Sequence, residues 1–233
     1  MSDTDLRIVV VVPSGTHWLA DFGASLLSMM GYFMNNPVKG MRTHEFRLVN
    51  IKGSILSTSR LNGIKAAKAM DASHLLFIVS DHTFPPDMLN QLLSWKKDVV
   101  AANCVTKSIP ACTTARSFSA TDPQGDIVYS DEKMVHNLER VWRVGTGVML
   151  ISKRAYNQIP HDCFTIKYMP EADVYQGEDW TMCEAMDKLG IPIYVDHKLS
   201  REVGHLGILN FTHDYVGSII RDEIRDNVTS IRS

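Results

Sequence analysis

Several short clusters in this chain place acids, imidazoles or a guanidinium beside apolar runs. Ser80-Asp81-His82 follows the apolar residues 75–79. Asp81 offers a hard oxygen for a divalent cation, or the side chain of an Asp-initiated turn ahead of Pro85-Pro86. Gly177-Glu178-Asp179-Trp180 sets two carboxylates before a helical pattern of Trp180, Cys183, Met186 and Leu189, closed by Gly190. Carboxylates are favoured at a helix N-terminus, so Asp179 reads either as a cap or as a base facing an acceptor hydroxyl. His205 stands between Gly204 and Gly207, as a turn residue or as an exposed nitrogen ligand. Ser57-Thr58-Ser59-Arg60 opens a helix carrying Leu61, Ile64, Ala67 and Met70 on one face. Arg60 in its first turn is either solvated or a holder of phosphate oxygens together with backbone N–H groups. Gly145-Thr146-Gly147, between two apolar runs, permits a close backbone approach to a ligand or a β-bulge.

The elements that must position these clusters alternate between strand and helix patterns. Residues 8–12 are a β-branched run ended by Pro13-Ser14-Gly15, predicting a first strand and a tight turn. Trp18, Phe22, Leu26, Met29, Met30 and Phe33 recur at helical spacing until Asn35-Asn36-Pro37. A second strand is predicted at 46–50. The continuous apolar run at 75–79 predicts a central strand buried on both faces. A helix opening at Asp87, a strand at 98–103, a strand on either side of the paired glycines Gly145 and Gly147, and a strand at 191–196 follow. Residues 117–137 are polar, with a turn at Asp122-Pro123-Gln124-Gly125, and read as an excursion or small hairpin. Val216, Ile219, Ile220, Ile224, Val228 and Ile231 predict an amphipathic C-terminal helix that covers its own domain or a partner subunit, which would make a homodimer. The pattern predicts a single α/β domain with a mostly parallel, twisted central sheet flanked by helices.

Bulk properties suit an enzyme-sized globular domain. The chain has 233 residues, 45% of them hydrophobic and 21% charged. A formal net charge of -2 gives no global basic field for nucleic acid or anionic membrane. No apolar run approaches the roughly 20 residues that span a bilayer. The polar, acidic start is not a signal peptide, and the expected location is cytoplasmic. Cys104, Cys112, Cys163 and Cys183 show no CxxC pairing and read as reduced thiols.

The order of these clusters resembles the small stand-alone GT-A-fold glycosyltransferases of the family-2-like kind found in bacteria and phages. The resemblance rests on five matches in sequence order and covers the chain up to about Gly207. They are Val-Pro-Ser-Gly at the end of the first strand, Ser59-Arg60, and the Leu-Leu-Phe-Ile-x-Ser-Asp strand end. Gly-Thr-Gly-Val-Met-Leu-Ile with Gly-Glu-Asp-Trp, and Ile-Tyr-Val-Asp with Gly-His-Leu-Gly, complete the set. It implies a GT-A-like catalytic domain at 1–207, with 208–233 as a helical extension of the same domain. It further implies that Asp81 is the last carboxylate of an Asp-x-Asp metal motif and His205 its distant ligand. Asp179, with Glu178, would be the catalytic base. Pro13, Ser14, Gly15, Arg60 and Ser80 would lie on the nucleotide side. Trp18, Gly145, Thr146, Gly147 and Trp180 would line the sugar or acceptor pocket.

The implied activity is sugar transfer from a nucleotide-sugar donor, UDP-sugar by resemblance, to an acceptor hydroxyl. The metal would be Mn²⁺ or Mg²⁺, the mixed nitrogen and oxygen set favouring Mn²⁺. The acceptor would be a saccharide or a hydroxylated base in phage DNA; for the latter, the protein would work in the host cytoplasm. Lys107, Arg116, Lys133, Arg140 and Arg143 could then line one DNA-facing side. The chain departs from the family at Val79, where the first motif acid is missing. His82 could compensate, although adjacent residues on an extended chain point to opposite sides. The rival reading is a non-catalytic nucleotide-sugar binding protein on the same fold, and a structural subunit is a third.

Overall fold

The computed structural model describes residues 4–38, 41–108, 110–131 and 137–207. The helix expected at 213–231 lies outside the described residues. β1 (Thr4–Ser14) contains the predicted first strand and sends Val9 and Val11 into one core, Ile8, Val10 and Val12 into another. α1 (Ala20–Asn35) buries Phe22, Leu26, Met29 and Phe33, the helical stripe read from the sequence. β2 (Met41–Lys52) runs well beyond the predicted 46–50, because a strand at the sheet edge tolerates the polar residues of its first half.

α2 (Leu56–Ala69) starts earlier than its serines suggest. Its N-cap is Ile55, whose side chain makes no capping bond, and Ser59 Oγ instead donates back to Ile55 O at 3.3 Å. Arg60 therefore falls past the first turn, on the buried face with Gly63, Ile64 and Ala67. β3 (His74–Ile78) is the predicted central strand. Leu75 and Phe77 enter one core while Leu76 and Ile78 enter the other, all fully buried. β4 (His82–Thr83), α3 (Met88–Ser94) and β5 (Val99–Ala101) come next. β6 (Arg116–Ser117) and β7 (Asp126–Ile127) form the expected hairpin, with Gly125 at φ 83. β8 (Leu138–Val141), β9 (Val148–Ser152) and α4 (Lys153–Tyr156) follow.

β10 (Lys167–Met169) and β11 (Val174–Gln176) make a second hairpin that the sequence did not announce. α5 (Glu178–Lys188) ends as predicted, with Gly190 at φ 68, a left-handed backbone that glycine adopts without strain. β12 (Ile193–Asp196) leads into α6 (His197–Glu202), where the Asp196 side chain accepts from Leu199 N, and β13 (Gly204–His205) follows.

The central sheet has seven strands in the order β2-β1-β3-β9-β5-β12-β8. β1 pairs in parallel with β2 and β3, and β12 with β5. β9 is antiparallel to both β3 and β5, and β8 is antiparallel to β12. The sheet is thus mixed: most strands point one way, but half of the pairings are antiparallel. α2, α4 and α5 pack on one face, and α1, α3 and α6 on the other. The chain is an α/β protein with helices on both sides of its sheet.

Gly63 lets α2 lie close to that sheet. A Cβ there would meet Val11 Cγ1 at 2.8 Å and Phe77 Cε1 at 2.9 Å. Gly63→Ala is expected to destabilise the fold by about 1–3 kcal/mol, although alanine is the better helix former. The check is a lower urea midpoint at unchanged slope. An unchanged or raised midpoint would mean that α2 can retreat without loss.

Candidate functional site

The chemistry-bearing clusters converge where β3 and β5 end and β9 begins. Past Ile78 the chain turns sharply: Val79 N donates to Gly147 O at 2.9 Å, and His82 N donates to Val79 O at 3.3 Å. The turn overrides the alternation of an extended chain, so Asp81 and His82 reach each other. His82 Nδ1 lies 3.1 Å from Asp81 Oδ1. β13 pairs antiparallel with β4, setting His205 opposite His82, and Leu206 N donates to Asp81 O. The two imidazoles stack, with centroids 4.2 Å apart and an interplanar angle of 19°. His205 Nε2 is 3.2 Å from Asp81 Oδ2.

His205 is oriented from behind. Its Nδ1 is 2.6 Å from Val105 O, which can only accept, so Nδ1 carries a proton. Nε2 is then the ring atom left facing the carboxylate, and a backbone carbonyl holding the other nitrogen is an arrangement common behind metal-ligating histidines. The ligand atoms of Asp81, His82 and His205 all lie within 4.8 Å of one another. His82 Nε2 is buried without a hydrogen-bond partner. A separation of 3.2 Å suits neighbouring ligands on one octahedral ion with bonds of about 2.1 Å. These residues fit a first-row divalent cation, and two nitrogens with one carboxylate favour Mn²⁺ over Mg²⁺.

Burial alone would raise the Asp81 carboxyl. Hydrogen bonds from His82 and Lys107, with the nearby charges of His205 and His82, outweigh that and hold it well below the usual carboxylate range. Asp81 is therefore anionic at neutral pH. Cys104, behind the cluster, is a thiol that burial pushes up to about 12, so without a bound metal it is protonated and not a nucleophile at neutral pH. Gly147 is required here by close approach: a Cβ would meet His82 Nε2 at 2.7 Å and Cys104 Sγ at 2.9 Å.

Arg60 forms the floor of the same cleft. Buried beneath it, Arg60 Nε donates to Glu178 Oε1 at 3.1 Å, and its guanidinium lies 5.5 Å from the Phe77 ring centroid. Nη1 reaches toward Thr146 O at 3.4 Å. Arg60, buried, and Glu178, partly buried, thus form an ion pair that links α2 to α5. Next to them, Asp179 Oδ1 accepts from Trp180 N. Burial pushes the Asp179 carboxyl above its ordinary value and Glu178 adds to this. Arg60 and the hydrogen bonds pull the other way without cancelling it.

Two clefts meet at Asp179. The first, of about 360 Å³, is walled by Asp81, His82, His205, Lys107, Arg60 and the Gly145 to Gly147 loop. The second, of about 350 Å³, is walled by Trp180, Tyr175, Gln176, Gln124 and Arg116. Asp179, Thr106 and Thr114 belong to both. Thr114 Oγ1 and Thr146 Oγ1 are buried in the first wall with no hydrogen-bond partner among the described residues.

Of the residues singled out from the sequence, Asp81, His205, Arg60, Asp179, Gly145, Thr146 and Gly147 line the first cleft, and Trp180 the second. Glu178 adjoins through its pair with Arg60. Pro13, Ser14, Gly15, Trp18 and Ser80 line neither. Ser14 Oγ donates to Asn50 Oδ1 at 2.6 Å, and Trp18 packs edge-on against Phe22. Of the basic residues proposed to line one DNA-facing side, Arg116 and Arg143 adjoin over the Trp180 ring, and three have internal partners. Arg143 is buried on Glu184, Arg116 donates to the carbonyls of Thr113 and Ala115, and Lys107 faces Asp81. Lys133 lies outside the described residues. Thr114 and Tyr175 were not singled out in the sequence, and Lys107 was named there only as a possible DNA-facing cation, since the stretch after Asn103 has no periodicity to pair it with Asp81.

No protein-family model and no curated protein matches the chain. Among solved structures, "Crystal Structure of A197 from STIV" is similar with a TM-score of 0.49 and 14% identity, covering 89% of this chain and 99% of that chain. Among the described residues no helix is long and apolar enough to cross a membrane.

The raised Asp179 carboxyl gives a signed pH prediction. A carboxyl whose folded pKa exceeds its unfolded value favours the fold at low pH, and that contribution is lost as pH rises through the folded pKa. Asp179→Asn removes the buried charge while keeping an acceptor for Trp180 N. Its melting temperature relative to wild type should therefore rise between pH 4 and pH 8. A difference that stays flat or falls across that range would show that Asp179 carries no burial penalty.

Proposed function

We propose that this protein is a glycosyltransferase that takes a sugar from a nucleotide-sugar donor, on a GT-A-like version of its α/β fold. The observation that carries the reading is the meeting of two unlike clefts at one carboxylate. The first is charged and cation-binding, which suits a diphosphate. The second has an aromatic and amide wall, which suits the apolar face and hydroxyls of a saccharide. Asp179 stands between them, raised toward the range in which a carboxylate acts as a base. The unpartnered hydroxyls of Thr114 and Thr146 support the same reading, since sugar hydroxyls would satisfy them.

The donor diphosphate lies in the first cleft, its sugar toward the Gly145 to Gly147 loop. The acceptor hydroxyl approaches from the second cleft. Its oxygen bonds to the anomeric carbon as the bond to the diphosphate breaks. Asp179 takes the hydroxyl proton, and the leaving diphosphate takes the electron pair. Attack opposite the leaving group inverts the anomeric centre. Asp81, His205 and His82 would hold the metal, which when bound supplies positive charge to the departing phosphate. Arg60 shapes the site through Glu178 and the loop carbonyl, because its guanidinium is already engaged inside the fold. Saccharide is preferred to DNA as acceptor because the basic residues near the second cleft are bound up in internal contacts.

The test is release of free nucleoside diphosphate from a panel of UDP-, GDP- and dTDP-sugars in Mn²⁺, with and without saccharide acceptors. One donor should be turned over, and Asp179→Asn should slow transfer by roughly 10²- to 10⁴-fold with donor affinity retained. Tight donor binding without any turnover would favour the non-catalytic binding protein, which the missing acid at Val79 supports. Absence of binding by every nucleotide would remove the transferase reading.

A further inference from the structure

Lys107 is the residue of the first cleft for which the reading above has no role. It follows β5 in the same short segment as Val105, whose carbonyl orients His205. Its Nζ lies 2.5 Å from Asp81 Oδ2, the same oxygen that faces His205 Nε2. Asp81 is the one carboxylate in the cation cluster, and Val79 occupies the position where a second acid would stand. The lysine therefore neutralises the single negative charge on which a divalent ion would depend. An ammonium and a divalent cation on one carboxylate oxygen repel each other strongly at such distances. The Lys107 side chain is 44% exposed, and its flexible stem can swing clear without disturbing the core.

We propose that Lys107 is an internal competitor for the cation site, and that its release from Asp81 couples cation binding to capture of the donor phosphates. Without a divalent ion, the ammonium serves as counter-charge to Asp81. When the ion takes Asp81, Lys107 is displaced into the charged cleft, where it becomes a donor for a phosphate oxygen. The ion and the diphosphate then promote each other's binding, and the coupling is reciprocal. The competition depends only on the cation cluster. The coupling rests on the nucleotide-sugar reading.

The test is calorimetric titration of Mn²⁺ into the 233-residue wild type, Lys107→Met, Lys107→Arg and Asp81→Asn, followed by UDP at saturating Mn²⁺. Lys107→Met should bind Mn²⁺ alone roughly two- to fivefold tighter than wild type, as loss of a half-exposed ion pair allows. The same variant should bind UDP more weakly, and Lys107→Arg should stay near wild type in both titrations. Opposite signs in the two titrations are not what a merely structural lysine would give. Equal or weaker Mn²⁺ binding by Lys107→Met overturns the competition, as does Mn²⁺ binding that survives Asp81→Asn unchanged. Tighter Mn²⁺ binding with no UDP binding by any of the proteins upholds the competition and overturns both the coupling and the donor reading.

Discussion

β9 runs against both of its neighbours, and the candidate site depends on that reversal. Because β3 and β5 point one way and β9 the other, the first residues of β9 lie beside the last residues of β3 and β5. The hydrogen bonds from Val79 N to Gly147 O and from Ala102 N to Val148 O continue the ladder past the formal strand ends. They carry the glycine loop into the space where Asp81 and His82 emerge. A wholly parallel sheet would place the loop preceding β9 at its opposite edge. Antiparallel insertion thus turns a strand end, which any α/β sheet possesses, into a walled cleft.

The second support is the pair of Arg60 and Glu178. Burying two charges is costly, and the attraction between them offsets the cost only when further contacts are made. Here the guanidinium also lies against Phe77 and reaches the Thr146 carbonyl. Removing one partner of such a pair typically costs about 3–5 kcal/mol, because a lone charge stays behind. The pair fixes the N-terminal turn of α5 relative to α2 and to the glycine loop. That turn carries Asp179, so the carboxylate is held by packed elements at the junction of the two clefts.

Much of the frame could be read in the sequence because it obeys local rules. The apolar run at 75–79 was long enough to demand burial on both faces, and β3 meets that demand. Gly190 ended its helix for the reason glycine usually does. The polar stretch around Asp122 formed its hairpin. The site was legible only in part. Asp81, Asp179 and His205 sit at strand and helix ends, where residue type and position coincide. His82 was misjudged because a tight turn replaced the extended chain assumed for it. Arg60 was placed at a helix start that the structure shifts upstream, which moves its side chain from the surface to the interior. Lys107 had no local signal, since its partner Asp81 is 26 residues away along the chain. The even division of the sheet between parallel and antiparallel pairings was equally hidden, because β9 and β3 share one apolar composition.

His205 reaches Asp81 across 124 residues of sequence, held by a ladder of two residues on each strand. Contacts so distant along the chain form late, after the loop between them has been closed by other structure. During synthesis, residues leave the ribosome N-terminal first. β1, α1, β2, α2 and β3 can assemble while β13 has yet to be made. Until then the proposed cation cluster has only Asp81 and His82, two of its three members. On the proposed reading, a cation would be held only after folding, once β13 has paired with β4 and brought His205 to Asp81 and His82.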